Sequence, residues 1–216
     1  MSGKKLTGTA KLKATIAELE ARESGRLERD EKQNKQYDDL QKIGNCAMDS
    51  IRGMVAAVEC DYDRLEELRD KSKNDATCDS CDYEGPCTTC PECVKPTIPP
   101  LDEEEAEELK GLEEAAGDCA SREDAETRIQ EDPLSLEYRS GWTSPGDKME
   151  AEEFCLLLST GGPATRIVGE LRNGEAYRCR LEAQDWYTPW TECRTSDSDI
   201  LETYCNIVGV GAGVEC

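Results

Sequence analysis

The chain has 216 residues, a formal charge of -22, no histidine, a single Phe and 37% hydrophobic residues. That length allows one or two domains with a real core, while the low apolar share suits long solvated helices joined to a smaller packed unit. The missing histidine removes Ser–His and Cys–His nucleophile pairs and His-ligated metals, and the acidic excess excludes a general phosphate-neutralising surface, which needs clustered Lys and Arg.

Residues 9 to about 73 read as helix. From Tyr37 a seven-residue spacing (Tyr37, Gly44, Ile51, Val58, Leu65) interleaves with Leu40, Ala47, Met54 and Leu68, the a/d pattern of a coiled-coil seam. Ile43, Met48, Val55 and Tyr62 widen that stripe, so this half is expected to meet more than one neighbour. Upstream the apolar residues thin out to Leu12, Ile16, Leu19 and Leu27, and ERDEKQNKQ (28–36) reads as a solvated helix or a hinge. Gly25, Gly44 and Gly53 each weaken the helix by about 1 kcal/mol relative to Ala. The segment 1–77 is therefore a long helical, coiled-coil-like unit with a capacity to form a homo-oligomer.

The helix is expected to end at Asn74–Asp75, and CDSCDYEGPCTTCPEC (78–93) follows. Its cysteines, Cys78, Cys81, Cys87, Cys90 and Cys93, are spaced C-x2-C-x5-C-x2-C-x2-C. Two C-x2-C pairs are what a tetrahedral thiolate zinc site needs. Either Cys78, Cys81, Cys90 and Cys93 or the tighter set Cys78, Cys81, Cys87 and Cys90 would serve. Tyr83 is the one large side chain in the loop, so burial cannot fold it and a structural zinc ion is the expected organiser. Free thiols or disulfides, and an iron–sulfur centre at CTTCPEC, are the alternatives. Cys46, Cys60, Cys155 and Cys205 lie among apolar residues and read as small core residues.

VKPTIPPL (94–101) is a proline linker, closing a Cys-rich segment of residues 78–101. Helix restarts at LDEEEAEELKGLEEAAGD, and Ser121 with Asp124 resembles a capping box for a short helix ending near Gln130. Residues 102–132 hold 14 Asp and Glu against 3 Lys and Arg. These returning helices are expected to fold back on the Ile51–Leu68 half of the first helix as a hairpin. Glu103, Glu104, Glu107, Glu108 and Glu114 would then form an acidic face, either a phosphate mimic or a merely solvated surface.

After Pro133 the texture changes. SLEYRSGW (135–142), EFCLLLST (153–160), ATRIVGEL (164–171) and AYRCRLEAQDW (176–186) read as an antiparallel meander separated by GGP and RNG turns. DSDILETYCNIV (197–208) reads as a closing helix. The expected fold class is α+β: an N-terminal helical hairpin with a Cys-rich loop, and a small antiparallel sheet with a helix over 133–216. Trp186, Tyr187 and Trp190 in QDWYTPWTE form the densest aromatic cluster, with Trp142 expected to approach from the first strand. The cluster is either core with an amphipathic rim or a partner-binding anchor. Arg166, Arg178 and Arg180 are expected to pair with Glu170 and Glu182 rather than to bind phosphate.

ARESGRLERDEKQNK (21–35), ECDYDRLEEL (59–68), EDPLSLEYRSGW (131–142), STGGPATRIVGEL (159–171) and QDWYTPWTE (184–192) together resemble an uncharacterised family of small phage and prophage proteins. The resemblance implies an accessory protein acting in the cytoplasm of a bacterial host, and it carries no catalytic residues. The N-terminus has no apolar leader and no segment approaches the ~18 apolar residues of a membrane span, so a soluble, intracellular protein is expected. The resulting expectation is a non-enzymatic binder of a host protein or protein–nucleic acid complex, with no direct nucleic-acid or membrane contact. It would inhibit or modulate a defence or nucleic-acid-processing machine. The alternative is a structural, oligomerising coiled-coil protein.

Overall fold

A computed structural model describes residues 8–73, 101–144, 146 and 150–212. The Cys-rich segment, and with it Cys78, Cys81, Cys87, Cys90 and Cys93, lies outside the described residues.

The fold is α+β. Helix α1 (Gly8–Glu59) runs 52 residues, about 78 Å at 1.5 Å per residue. It stops at Cys60–Asp61, and α2 (Tyr62–Lys73) starts afresh. Asp61 makes that break: its carboxylate accepts from Arg64 N at 3.0 Å and its carbonyl from Leu65 N, which caps the new helix. The stretch that reads as helix to residue 73 is thus two helices, because an Asp on the seam satisfies the first turn of α2 better than it continues α1.

Helices α3 (Glu103–Ala116) and α4 (Arg122–Glu131) follow. Asp102 and Glu105 form a full capping box at the start of α3, and Ser121 Oγ accepts from Asp124 N at the start of α4. α3 lies against α2 and is clamped to it by Arg64–Glu108, Arg69–Glu113 and Lys71–Glu105.

Strands β1 (Ser135–Ser140), β2 (Ala151–Ser159), β3 (Ala164–Arg172), β4 (Glu175–Gln184) and the two-residue β5 (Thr191–Glu192) form one antiparallel sheet in chain order. Helix α5 (Ser198–Val208) starts on the Asp197 cap and ends at Gly209, whose φ of 88° is the left-handed stop that glycine takes most readily. The register aligns Leu136, Leu156, Ile167 and Leu181 in one row across four strands. The next row sets Phe154 over Gly169, where an added Cβ would come within 2.7 Å of the ring.

The core lies between this face and the helices. Leu40, Met48, Ile51, Met54, Val55 and Val58 of α1 join Ala125 and Ile129 of α4, Leu201 and Tyr204 of α5, and the sheet residues in one buried cluster. The core therefore crosses Pro133, and the half of α1 that carries the seam is one of its walls. Its closest approach is Gly44, whose missing Cβ would sit 2.1 Å from Cys193 Sγ just after β5. The opposite sheet face carries Glu137, Cys155, Val168 and Arg180 in its central row, and antiparallel sheets tolerate water on one side. Residues 15–36 of α1 project beyond the core with Ile16, Leu19 and Leu27 exposed. Among the described residues no helix is long and apolar enough to cross a membrane.

Candidate interaction surface

Strand β4 runs out at Gln184 into a tight turn, Asp185–Trp186–Tyr187–Thr188. Thr188 is buried and ties the turn together. Its N–H and its hydroxyl both donate to the Asp185 carbonyl, at 3.0 and 2.9 Å, and the same hydroxyl accepts from Asp185 N at 2.9 Å. The Asp185 carboxylate accepts from Trp186 N at 2.8 Å, and the Gln184 amide donates to the Thr188 carbonyl at 2.7 Å. Pro189 then forbids helical continuation.

This lock holds Tyr187 at φ 65°, a left-handed conformation that costs an aromatic residue about 1–2 kcal/mol. The strain yields no burial, because Tyr187 is fully exposed and Trp186 is 66% exposed. The two rings stand side by side, centroids 6.4 Å apart and tilted by 44°. Trp190 behaves differently. It is half-buried on the open sheet face, with the Arg166 guanidinium 4.1 Å from its ring centroid, and Arg166 is held in turn by Glu182 at 2.7 Å. Of the three aromatics in the run, two are displayed and one is packed. Arg180 also reaches Glu182, and Arg178 reaches Glu170 at 3.6 Å, so these arginines are ion-paired as their spacing suggests.

The turn sits beside α1. Lys32, Lys35, Gln36, Asp39 and Leu40 line a cleft of about 220 Å³ with Asp185. Close by, Arg194 stacks over Tyr37 at 4.9 Å. Thus, in a chain of strong negative charge, the turn that displays the two rings meets α1 at two exposed lysines. Those flanking residues are not legible as partners of the turn in sequence, since some 150 residues separate them. The lock itself has a signal in D-x-x-T-P. Trp142 is also fully exposed, but it follows β1, whose end lies at the start of β2. In this meander that is the opposite end of the sheet from Trp186, and the opposite edge, so Trp142 does not join the cluster.

The acidic helices form a separate region. Glu108 is held by Arg64 at 2.7 Å and its carboxyl is pulled below the ordinary range by that hydrogen bond. Glu105 is lowered in the same way by Lys71. Glu103, Glu104, Glu107 and Glu114 point to solvent. Asp61, Asp63, Glu66, Asp70 and Glu123 line a cleft of about 730 Å³ between α2 and the start of α4. The Tyr62 hydroxyl is buried at its wall without a hydrogen-bond partner among the described residues. No group of three or more Cys, Asp or Glu among the described residues is arranged to hold a metal ion.

The other cysteines divide by position. Cys205 is buried as expected, but Cys46 is exposed and Cys60 and Cys155 are half-buried, while Cys119, Cys179 and Cys193 join the core. Burial pushes the Cys60 and Cys155 thiols up, and raises Cys193 to about 11 with help from Glu182 and Glu192. Cys205 is raised by its hydrogen bond with Cys179 and by burial. These four are held as thiols, whereas a reactive cysteine needs a stabilised thiolate.

No protein-family model, no curated protein and no solved structure matches the chain.

Proposed function

We propose that the chain is a non-enzymatic interaction protein that grips a partner protein with the Asp185–Thr188 turn. The observation that carries this reading is Tyr187, held in a costly backbone conformation that displays its ring and that of Trp186 to solvent. Rigid Trp and Tyr side chains supply large contact area at low entropic cost and dominate binding hot spots. Burial and neighbouring groups raise the thiols of Cys60, Cys155, Cys193 and Cys205, which makes these four cysteines poor nucleophiles. On the resemblance to phage and prophage proteins, the partner is a bacterial host protein of defence or nucleic-acid processing, and binding inhibits or modulates it.

Affinity capture from bacterial lysate with wild type and with a Trp186→Ala/Tyr187→Ala variant tests the reading. A partner recovered by wild type should be lost from the variant, at a cost of about 2–4 kcal/mol in affinity. Equal recovery by both would overturn it.

A second reading uses the acidic helices as a phosphate mimic, favoured by the outward Glu103, Glu104, Glu107 and Glu114. It requires that nucleic acid displace the partner and that salt weaken the complex steeply. Salt-insensitive binding that depends on Trp186 would eliminate it. We further infer that the paired cysteines of 78–93 hold a zinc ion that organises their loop. Chelation should then lower helicity, and an unchanged circular dichroism spectrum in strong chelator would argue against the ion.

A further inference from the structure

The two edges of the sheet are treated differently. At the far edge β5 is two residues long and α1 covers it: Gln41 Nε2 donates to the Glu192 carbonyl at 3.1 Å and Gln41 Oε1 accepts from Arg194 N at 2.7 Å. At the near edge β1 is six residues long and, among the described residues, pairs with β2 alone. Long exposed edges invite pairing with another strand, and proteins usually blunt them with like charges, proline or a covering element.

Which backbone groups of β1 are free follows from the ladder. Cys193 N donates to the Leu181 carbonyl, so Leu181 turns its backbone toward β5. Alternation across the registered rows then turns Ile167 toward β2, Leu156 toward β3, and Ser135, Glu137 and Arg139 toward β2. Leu136 and Tyr138, and Ser140 just past the register shift that leaves Glu152 of β2 unpaired, turn their N–H and C=O groups outward, with no partner among the described residues.

We propose that two copies of the chain pair antiparallel through their β1 edges, with Tyr138 opposite Tyr138 of the second copy on a twofold axis. This register follows from the side chains. It puts Leu136 opposite Ser140 of the other copy, so the outward backbone groups of Leu136, Tyr138 and Ser140 bond one another. It puts Glu137 opposite Arg139 twice, at non-hydrogen-bonded positions where side chains approach most closely. The edge is thus complementary in charge to itself. At the ends, the start of one strand meets the finish of the other. Leu134, 57% exposed, and the fully exposed Trp142 lie just outside the two ends of β1, so this pairing brings each toward the other of the second copy, again twice. Both residues are large, apolar and uncovered in the single chain, and one symmetric pairing accounts for both. Gly211 N donates to the Tyr138 hydroxyl at 3.0 Å from the helical side, which holds that ring off the edge. The result is a continuous ten-stranded sheet with an isologous interface.

The partner is a second copy, so the test is mass against concentration. Sedimentation equilibrium of the full chain should show a reversible rise from 23.9 kDa to twice that value. Arg139→Glu sets like charges opposite each other at both pairs and should weaken association at least about tenfold. The double reversal Glu137→Arg/Arg139→Glu rebuilds both pairs and should restore it, which a merely structural role for Arg139 beside Glu153 would not produce. A chain that stays monomeric into the millimolar range overturns the proposal. So does a dimer indifferent to Arg139→Glu, or one that the double reversal fails to restore. Should the charge variants not fold, amide exchange of wild type decides: Leu136, Tyr138 and Ser140 must gain protection with concentration, and unchanged exchange overturns the pairing.

Discussion

Residues 37–59 and residues 13–36 belong to one helix with one apolar phase, yet they meet opposite surroundings. Ile16 stands three heptads before Tyr37, and Leu19 three before Leu40, so the apolar residues at the two ends of α1 share one phase. In the docked half its positions are Leu40, Ala47, Ile51, Met54 and Val58, with Gly44 where the backbone touches Cys193. In the projecting half the positions between Leu19 and Tyr37 are Glu23, Arg26, Asp30 and Gln33. Burying those charges would cost more than Ile16 and Leu19 return. The lesson is that phase sets which way a helix faces, while the transfer free energy of the seam sets whether it docks.

The contrast is open to direct attack. Ile51→Ala removes a fully buried side chain beside the sheet core and should cost about 2–5 kcal/mol in urea unfolding, whereas Ile16→Ala should stay within about 0.5 kcal/mol. Equal losses would mean that the projecting half is packed against something in solution. Next in size is Gly44→Ala. Its Cβ would overlap Cys193 Sγ and should destabilise by about 1–3 kcal/mol, a loss to be read from the same melts.

A different kind of effect comes from pH. The folded Cys193 thiol titrates near 11 because it is buried against α1, while in the unfolded chain it titrates near 9. A raised folded value contributes stability that is complete below pH 9 and is lost as pH rises through 11, since the unfolded state sheds its proton first. Stability should therefore fall across that window, and Cys193→Ala should flatten the slope. The smallest effect has the opposite sign. Gly25→Ala, in the projecting half, meets nothing nearer than Arg29 at 3.8 Å and should stabilise by about 0.5–1 kcal/mol. Alanine at Gly44 and at Gly25 should thus move the midpoint in opposite directions along one helix.

How much of this is legible in the sequence depends on the range of the interaction. The meander and α5 are readable to within a few residues, because GGP and RNG turns and the Asp197 cap are local signals. The cap residues Ser121 and Asp102 are equally local. The break at Asp61 is written in the sequence too, but the heptad phase from Val58 to Leu65 passes across it and hides it. β5 is too short for periodicity to register. The docking of α1 on the sheet and the approach of Gly44 to Cys193 rest on contacts about 150 residues apart, and no local pattern encodes them. At the surface, the aromatic run is visible as composition. Which rings are displayed depends on Thr188, Arg166 and the φ of Tyr187, which only the folded chain reveals.

Gly8–Glu59 is also an unbroken lever. Its projecting part, residues 13–36, extends roughly 35 Å at 1.5 Å per residue. Its other end is seated in the core beside the Asp185–Thr188 turn. The helix therefore fixes the distance and the bearing of Trp186 and Tyr187 relative to its projecting end. Shortening it by one heptad would bring the aromatic turn about 10 Å nearer that end with only about 20° of rotation, whereas removing two or three residues would swing it to another side.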